Sequence, residues 1–198
     1  MIINALVEGV VDEAVAQRII LRSGHDFGVC YGKRGIDYIR LRIGGFNNAA
    51  IYQHLLVLVD QMDTGFECPP DVVSHWVPHR NPNLLFRVVV PEVESWLLAD
   101  RAGLADFLHV SLGRIPSTPE AVEDPKSCLI GAARRSRSSR VRDALVPPIG
   151  ATSAVGRLYT SEIVSFIRHH WNLDRACRAS PSLAACMGRL RGSLSTPE

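Results

Sequence analysis

Residues 54–60 read HLLVLVD: five consecutive apolar residues, Leu55 to Val59, entered from His54 and closed by Asp60. A run this short and continuous, set between turn signals, predicts a strand buried on both faces, as found in parallel sheets covered by helices. Outward from it, residues 2–7 (IINALV) and 84–90 (LLFRVVV) predict two more apolar strands. The first is followed by Glu8-Gly9, and Asp12 caps a helix that runs to about Arg22 and ends before Gly24. Helices are also predicted over 92–100 and 104–109. Strand, helix, strands, helix, strand, strand, helices is the order of an α/β fold, with a mostly parallel central sheet flanked by helices.

The intervening segments are read more coarsely. Residues 27–31 and 36–43 (IDYIRLRI) alternate like strands, and 47–53 is a short helix. Residues 61–83, with Pro69, Pro70, Pro78 and Pro82, predict a long and partly irregular connection. Asp124-Pro125 marks a helix start, with Asp as cap and Pro in the first position, and that helix continues into the arginine-rich stretch 134–142. Further helices are expected near 160–170 and 181–193. The organisation is an α/β core over residues 1–110, with a largely helical, arginine-rich portion over 111–198 packed on it as one compact domain.

Charge separates along the chain. The total of +2 at pH 7 conceals 12 Asp/Glu against 8 Lys/Arg in residues 1–100, and 8 against 14 in residues 101–198. An acidic half joined to a basic half implies different tasks for the two. Twenty of the cations are Arg, whose planar fork suits phosphate. At 46% hydrophobic and 21% charged, the composition excludes disordered and fibrous classes. No apolar run approaches the roughly 20 residues of a membrane span, and no secretory leader pattern opens the chain, so the expected setting is soluble and cytoplasmic. Five cysteines without a C-x-x-C pair argue for reduced thiols, against a disulfide framework or a zinc site.

The acids carry the chemistry. Glu8 and Asp60 each close a strand, and Glu92 and Glu94 follow another. Ligand sites in open α/β sheets lie beyond the carboxyl ends of the strands. Carboxylates gathered there repel one another unless a cation neutralises them, and an oxygen-only set matches Mg²⁺ or Mn²⁺. Asp12, four residues after Glu8, falls in the first turn of its helix if that helix begins near Val10. The bland alternatives are a turn role for Glu8, a dipole role for Glu94 and a core role for Trp96. Lys126 is either a phosphate contact or a solvated helix residue. Arg134, Arg135, Arg137, Arg140 and Arg142 form either a phosphate-binding stretch or a solvated face. No aromatic residue interleaves them to stack on bases.

Val7-Glu8-Gly9-Val10-Val11-Asp12 resembles the glutamate-glycine motif of Toprim domains, and in particular of the overcoming-lysogenization-defect nucleases, which place a second acid four residues on. Leu58-Val59-Asp60-Gln61-Met62-Asp63 resembles the Toprim aspartate motif. Cys68-Pro69-Pro70, Val93-Glu94-Ser95-Trp96-Leu97-Leu98-Ala99-Asp100 and Asp124-Pro125-Lys126 are similar to a small standalone Toprim-like family. The resemblance spans roughly residues 2–190. It implies phosphodiester chemistry with one or two Mg²⁺ ions, Glu8, Asp12 and Asp60 as metal-site residues, and Glu8 as an alternative general acid/base. It also implies an ABC/SMC-type ATPase partner in bacterial defence. The sequence departs from the family's D-x-D at Met62. Hard cations select oxygen over thioether, so Asp63 or Glu67 from the next turn is the candidate replacement.

The expectation is therefore a Toprim-like, Mg²⁺-dependent nuclease or nuclease-like effector. Glu8 and Asp60 would be catalytic, and Glu8, Asp12, Asp60 and Asp63 would hold metal. Lys126, Arg134, Arg135 and Arg137 would hold nucleic acid, with Glu67, Glu92 and Glu94 as secondary candidates. The alternatives are a non-catalytic Toprim-like binding or regulatory module and a metal-dependent phosphotransfer enzyme acting on a nucleotide. No membrane partner is expected. Homo-oligomerisation, and DNA against RNA, are left open.

Overall fold

The computed structural model describes residues 1–192 and divides them into two units. The first is Met1–Val90 with the described residues from Ser182 onward; the second is Pro91–Pro181. The boundary expected at residue 110 instead falls inside the second unit, which begins at Pro91.

In the first unit, β1 (Ile2–Val7), β2 (Asp26–Gly32), β3 (His54–Asp60) and β4 (Leu84–Val89) form one sheet in the order β2-β1-β3-β4. Every pairing is parallel. The expected α/β class, a parallel sheet flanked by helices, is the observed one. Leu55 to Val59 of β3 are all buried, which explains the unbroken apolar run: both faces of this strand are covered. Alternate residues serve opposite faces. Leu6, Leu55, Val57 and Val59 pack with Ile39, Ile43, Val72 and Phe86 in a core supplied by α2 (Ile36–Ala49), α4 (Pro69–Trp76) and β4. The other face is covered by α1 (Val10–Arg22), whose Val15, Ile19 and Ile20 are fully buried. At the end of α1, Ser23 Oγ contacts Met187 Sδ at 3.9 Å. His25 Nε2 lies 2.8 Å from the Leu190 carbonyl, so both touch α11 (Pro181–Gly192).

Two readings of the sequence are corrected in this unit. Residues 36–43 are the start of α2 and not a strand. Ile36, Ile39, Ile43 and Phe46 recur at helical spacing and form its inner stripe, while Leu41, which an alternating strand would bury, is 79% exposed. The helix predicted over 47–53 is the last turn of α2, which ends at Ala49. The connection 61–83 holds two short helices, α3 (Gln61–Thr64) and α4.

The second unit is helical: α5 (Val93–Leu98), α6 (Arg101–Phe107), α7 (Pro125–Arg134), α8 (Ser139–Leu145), α9 (Tyr159–His169) and α10 (Leu173–Ala179). Trp96, Leu129, Ile163, Phe166 and Trp171 are buried in it, and Trp171 Nε1 donates to the Trp96 carbonyl at 3.2 Å. Asp124 caps α7 as its sequence predicts, accepting from the Ser127 amide at 2.8 Å. The helix does not continue through 142. It stops at Arg134, and Ser138 opens α8 by accepting from the Val141 amide at 3.4 Å. A local serine acceptor offers the backbone an alternative to continuing the helix.

Candidate functional site

The sheet changes winding direction between β1 and β3, its two central strands, and this is where an open α/β sheet leaves a crevice. Glu8 directly follows β1, and Asp60 is the last residue of β3. Glu8 reaches across to the neighbouring strand end, where its Oε1 accepts the Asp60 backbone N–H at 2.8 Å. The turn after β1 is held from outside. Lys33 N–H donates to the Val7 carbonyl at 2.8 Å and Gly35 N–H to the Glu8 carbonyl at 3.0 Å. Gly9 has a steric role, since a Cβ there would stand 3.1 Å from Asp12 Oδ2.

Glu8, Asp60 and Asp63 each present a carboxylate oxygen within 4.8 Å of the others, forming a group able to hold a metal ion. Glu8 is half-buried, Asp60 buried and Asp63 exposed, so the group runs from the strand ends outward to solvent. Three carboxylates this close repel one another, and a divalent cation removes that repulsion. The all-oxygen donor set is the chemistry of hard cations.

The departure at Met62 has a geometric explanation. Were β3 to continue, residues 60 and 62 would share a face. The chain instead turns helical at Gln61, and on a helix it is the third residue onward that shares a face. Asp63 therefore joins Asp60, and Met62 is half exposed. Of the two substitutes the sequence offered, Asp63 is in the group and Glu67 is not. Asp12 is buried in the first turn of α1 with its Oδ2 against Gly9, and it too lies outside the three-carboxylate group.

A second cluster lies within the helical unit. Glu92 and Glu94 keep only 4% and 2% of their side chains exposed. Lys126 donates its backbone N–H to Glu92 Oε1 at 2.6 Å. Its Nζ lies 3.0 Å from Glu92 Oε2 and 3.5 Å from Glu94 Oε1. Tyr159 Oη donates to Glu94 Oε1 at 2.9 Å, while Glu94 Oε2 has no hydrogen-bond partner among the described residues. Burial pushes the Glu94 carboxyl up to about 7; Lys126 opposes this, Glu92 adds to it, and the Tyr159 hydrogen bond opposes it. Burial, with the nearby Glu94, also pushes the Tyr159 phenol far above its ordinary value. Lys126 is thus committed to two acids, with 41% of its side chain still open to solvent.

The arginines separate. Arg134 faces a cleft with Arg142 and Arg157. Arg140 pairs with Glu162 at 3.5 Å. Arg135 and Arg137 are exposed, and the Arg137 amide donates to the His109 carbonyl at 3.2 Å. Sequence reasoning did not find Lys33 or Tyr159. Lys33 adopts a left-handed φ of 61°, rare for a side-chain-bearing residue, and no pattern in the sequence marks it. Tyr159 is 65 residues from the acid it serves. All five cysteines are free thiols, and among the described residues no helix is long and apolar enough to cross a membrane. Comparison of the chain with protein-family models, curated proteins and solved structures returns no match.

Proposed function

We propose that this chain is a Toprim-like, divalent-metal-dependent hydrolase of nucleic-acid phosphodiesters, cytoplasmic and working beside an ABC/SMC-type ATPase. The observation that supports the reading most is the convergence of Glu8, Asp60 and Asp63 at the ends of the two central parallel strands. These residues would hold Mg²⁺ or Mn²⁺, which when bound supplies Lewis-acid stabilisation of phosphate charge and lowers the pKa of bound water. Asp60, the most buried of the three, anchors the inner side of the site. Glu8, whose Oε1 accepts the Asp60 amide, would alternatively act as the general acid/base. Asp63, exposed at the rim, meets the solvent side. The basic excess of residues 101–198, 14 Lys/Arg against 8 Asp/Glu, favours a polyanionic partner for the chain.

A second reading, a metal-binding module without hydrolytic activity, is favoured by one observation: Glu8 already serves the backbone of β3 as an acceptor. One experiment tests both. The protein, alone and with a candidate ABC/SMC-type ATPase, is incubated with single- and double-stranded DNA and RNA in Mg²⁺ or Mn²⁺, beside Glu8→Gln, Asp60→Asn and Asp63→Asn. The hydrolase reading expects cleavage abolished by EDTA and lowered by about 10²-fold or more in Glu8→Gln and Asp60→Asn. Metal binding without cleavage on any substrate supports the second reading. Cleavage indifferent to all three substitutions refutes the site.

A further inference from the structure

Residues 146–158 leave α8 and return to it. Gly156 N–H donates to the Leu145 carbonyl at 2.9 Å and Leu158 N–H to the Ala144 carbonyl at 3.1 Å. A Cβ at Gly156 would meet the Ala144 carbonyl oxygen, so this return requires glycine. Inside the loop, Ala151 N–H donates to the Pro148 carbonyl at 3.0 Å. Ser153 Oγ donates to the Val155 carbonyl at 2.8 Å and accepts the Val155 amide at 3.2 Å. The loop is therefore a built element. Its closure sets Arg157 beside Arg142 of α8 and Arg134 at the end of α7.

These three arginines line a cleft of about 510 Å³. Arg142 Nη1 is pinned by the Ser136 carbonyl at 2.6 Å, which fixes its guanidinium. Among the described residues none of the three makes an ion pair. Asp143 is the single acid of the lining and makes no ion pair among the described residues, so three arginines against one carboxylate leave the cleft with a net positive charge. The same cleft is lined by the apolar residues Val146, Pro147, Pro148 and Ile149, the last fully exposed to solvent. Guanidinium forks match phosphate oxygens in bidentate geometry, and their planes also stack on flat rings. A volume of this order suits a small ligand with an anionic end and an apolar body.

We propose that this cleft binds a terminal nucleotide phosphate, with Arg134, Arg142 and Arg157 on the phosphate and the base against Pro147, Pro148 and Ile149. The ligand is a free nucleotide or the 5′-phosphorylated end of a strand. The cleft is built wholly from residues 134–157 and uses none of the carboxylates of the metal site.

Isothermal titration calorimetry on the full chain in EDTA tests it, using AMP, ATP, adenosine, pyrophosphate and matched oligonucleotides with 5′-phosphate or 5′-hydroxyl ends. Binding of phosphorylated ligands over adenosine and the 5′-hydroxyl strand is expected. Arg134→Ala and Arg157→Ala should each weaken it by about tenfold, the loss of one charge-assisted contact. Both residues are exposed, and circular dichroism checks that the variants stay folded. Mononucleotides binding as well as the phosphorylated strand would assign the free nucleotide; tighter binding of the strand would assign its 5′ end. The proposal is overturned if no phosphorylated ligand binds at millimolar concentration, if either arginine variant binds normally, if the 5′-hydroxyl strand binds equally well, or if pyrophosphate alone matches the nucleotides.

Discussion

The Glu8 carboxylate accepts the backbone N–H of Asp60 at 2.8 Å, joining the ends of two neighbouring parallel strands. One side chain thus has a structural task and a charge at the same position, and two substitutions separate them. Glu8→Gln keeps an acceptor oxygen and removes the charge; Glu8→Ala removes both. In EDTA both variants lose the repulsion of the Glu8 charge, so Glu8→Ala should be about 1–2 kcal/mol less stable in urea than Glu8→Gln, the cost of leaving the Asp60 amide without its acceptor. Both should lose Mn²⁺ affinity by calorimetry. Equal stability of the two variants would show that the strand-end bond carries nothing.

Metal binding to the folded state alone raises its stability by mass action, about 2.7 kcal/mol at one hundred times the dissociation constant. Mn²⁺ should therefore raise the thermal midpoint of the parent and leave Asp60→Asn unmoved. Asp63→Asn should show a reduced shift. Adding Met62→Asp to Asp63→Asn should not restore it, because α3 directs residue 62 away from Asp60. Restoration would mean that β3 extends past Asp60 in the metal-bound protein.

How much of this was legible in the sequence depends on how local the signal was. β3 announced itself because both its faces are covered, which leaves an apolar run with no other reading at that length. Residues 36–43 fit two periods at once. Ile36, Ile39 and Ile43 suit a helix, and Tyr38 and Arg40 beside them mimic a strand, so only the packing of α2 on the sheet decides. The five arginines of 134–142 are good helix formers, and they masked the serines at 136, 138 and 139 where one helix has ended and the next begins. In the site, Glu8 and Asp60 were visible as strand-closing acids. Asp63 over Glu67 was not, because the choice rests on the chain turning helical one residue after the strand. Tyr159 meets Glu94 only after the helical unit has folded.

The Glu94 carboxyl titrates at about 7 in the folded protein, against an ordinary value of 4.5. Between these values the folded state binds more protons than the unfolded chain, so stability falls as pH rises. The contribution is fully present below about 4.5 and lost as pH passes through about 7. Glu94→Gln cannot ionise, yet still offers Tyr159 an acceptor. Its stability relative to the parent should rise between pH 4.5 and pH 8 by an amount on the order of 3 kcal/mol, the energy of such a shift. Urea titrations at several pH values and constant ionic strength measure it. A difference independent of pH would mean that Glu94 titrates like a solvated acid.

Asp100 is fully buried at the C-terminal end of α5 and gathers four donors. These are the Gly103 amide at 3.2 Å, the Asn172 amide at 2.7 Å, and Arg175 through Nε at 2.6 Å and Nη2 at 3.1 Å. It thereby caps α6 and ties it to α10. A carboxylate so placed is tolerated only because it is paired and hydrogen-bonded: removing Arg175 takes away its charge partner, and removing Asp100 leaves the Gly103 and Asn172 amides without an acceptor. Asp100→Ala should cost about 3–5 kcal/mol. Asp100→Asn, which retains an acceptor for the amides, should cost less. Arg175→Ala should also cost less than Asp100→Ala, since the two backbone amides still face the carboxylate and Arg175 is partly exposed. A double-mutant cycle between Asp100→Asn and Arg175→Ala should show a coupling well below the cost of Asp100→Ala. Full coupling would assign the whole stabilisation to the ion pair and none to the backbone donors.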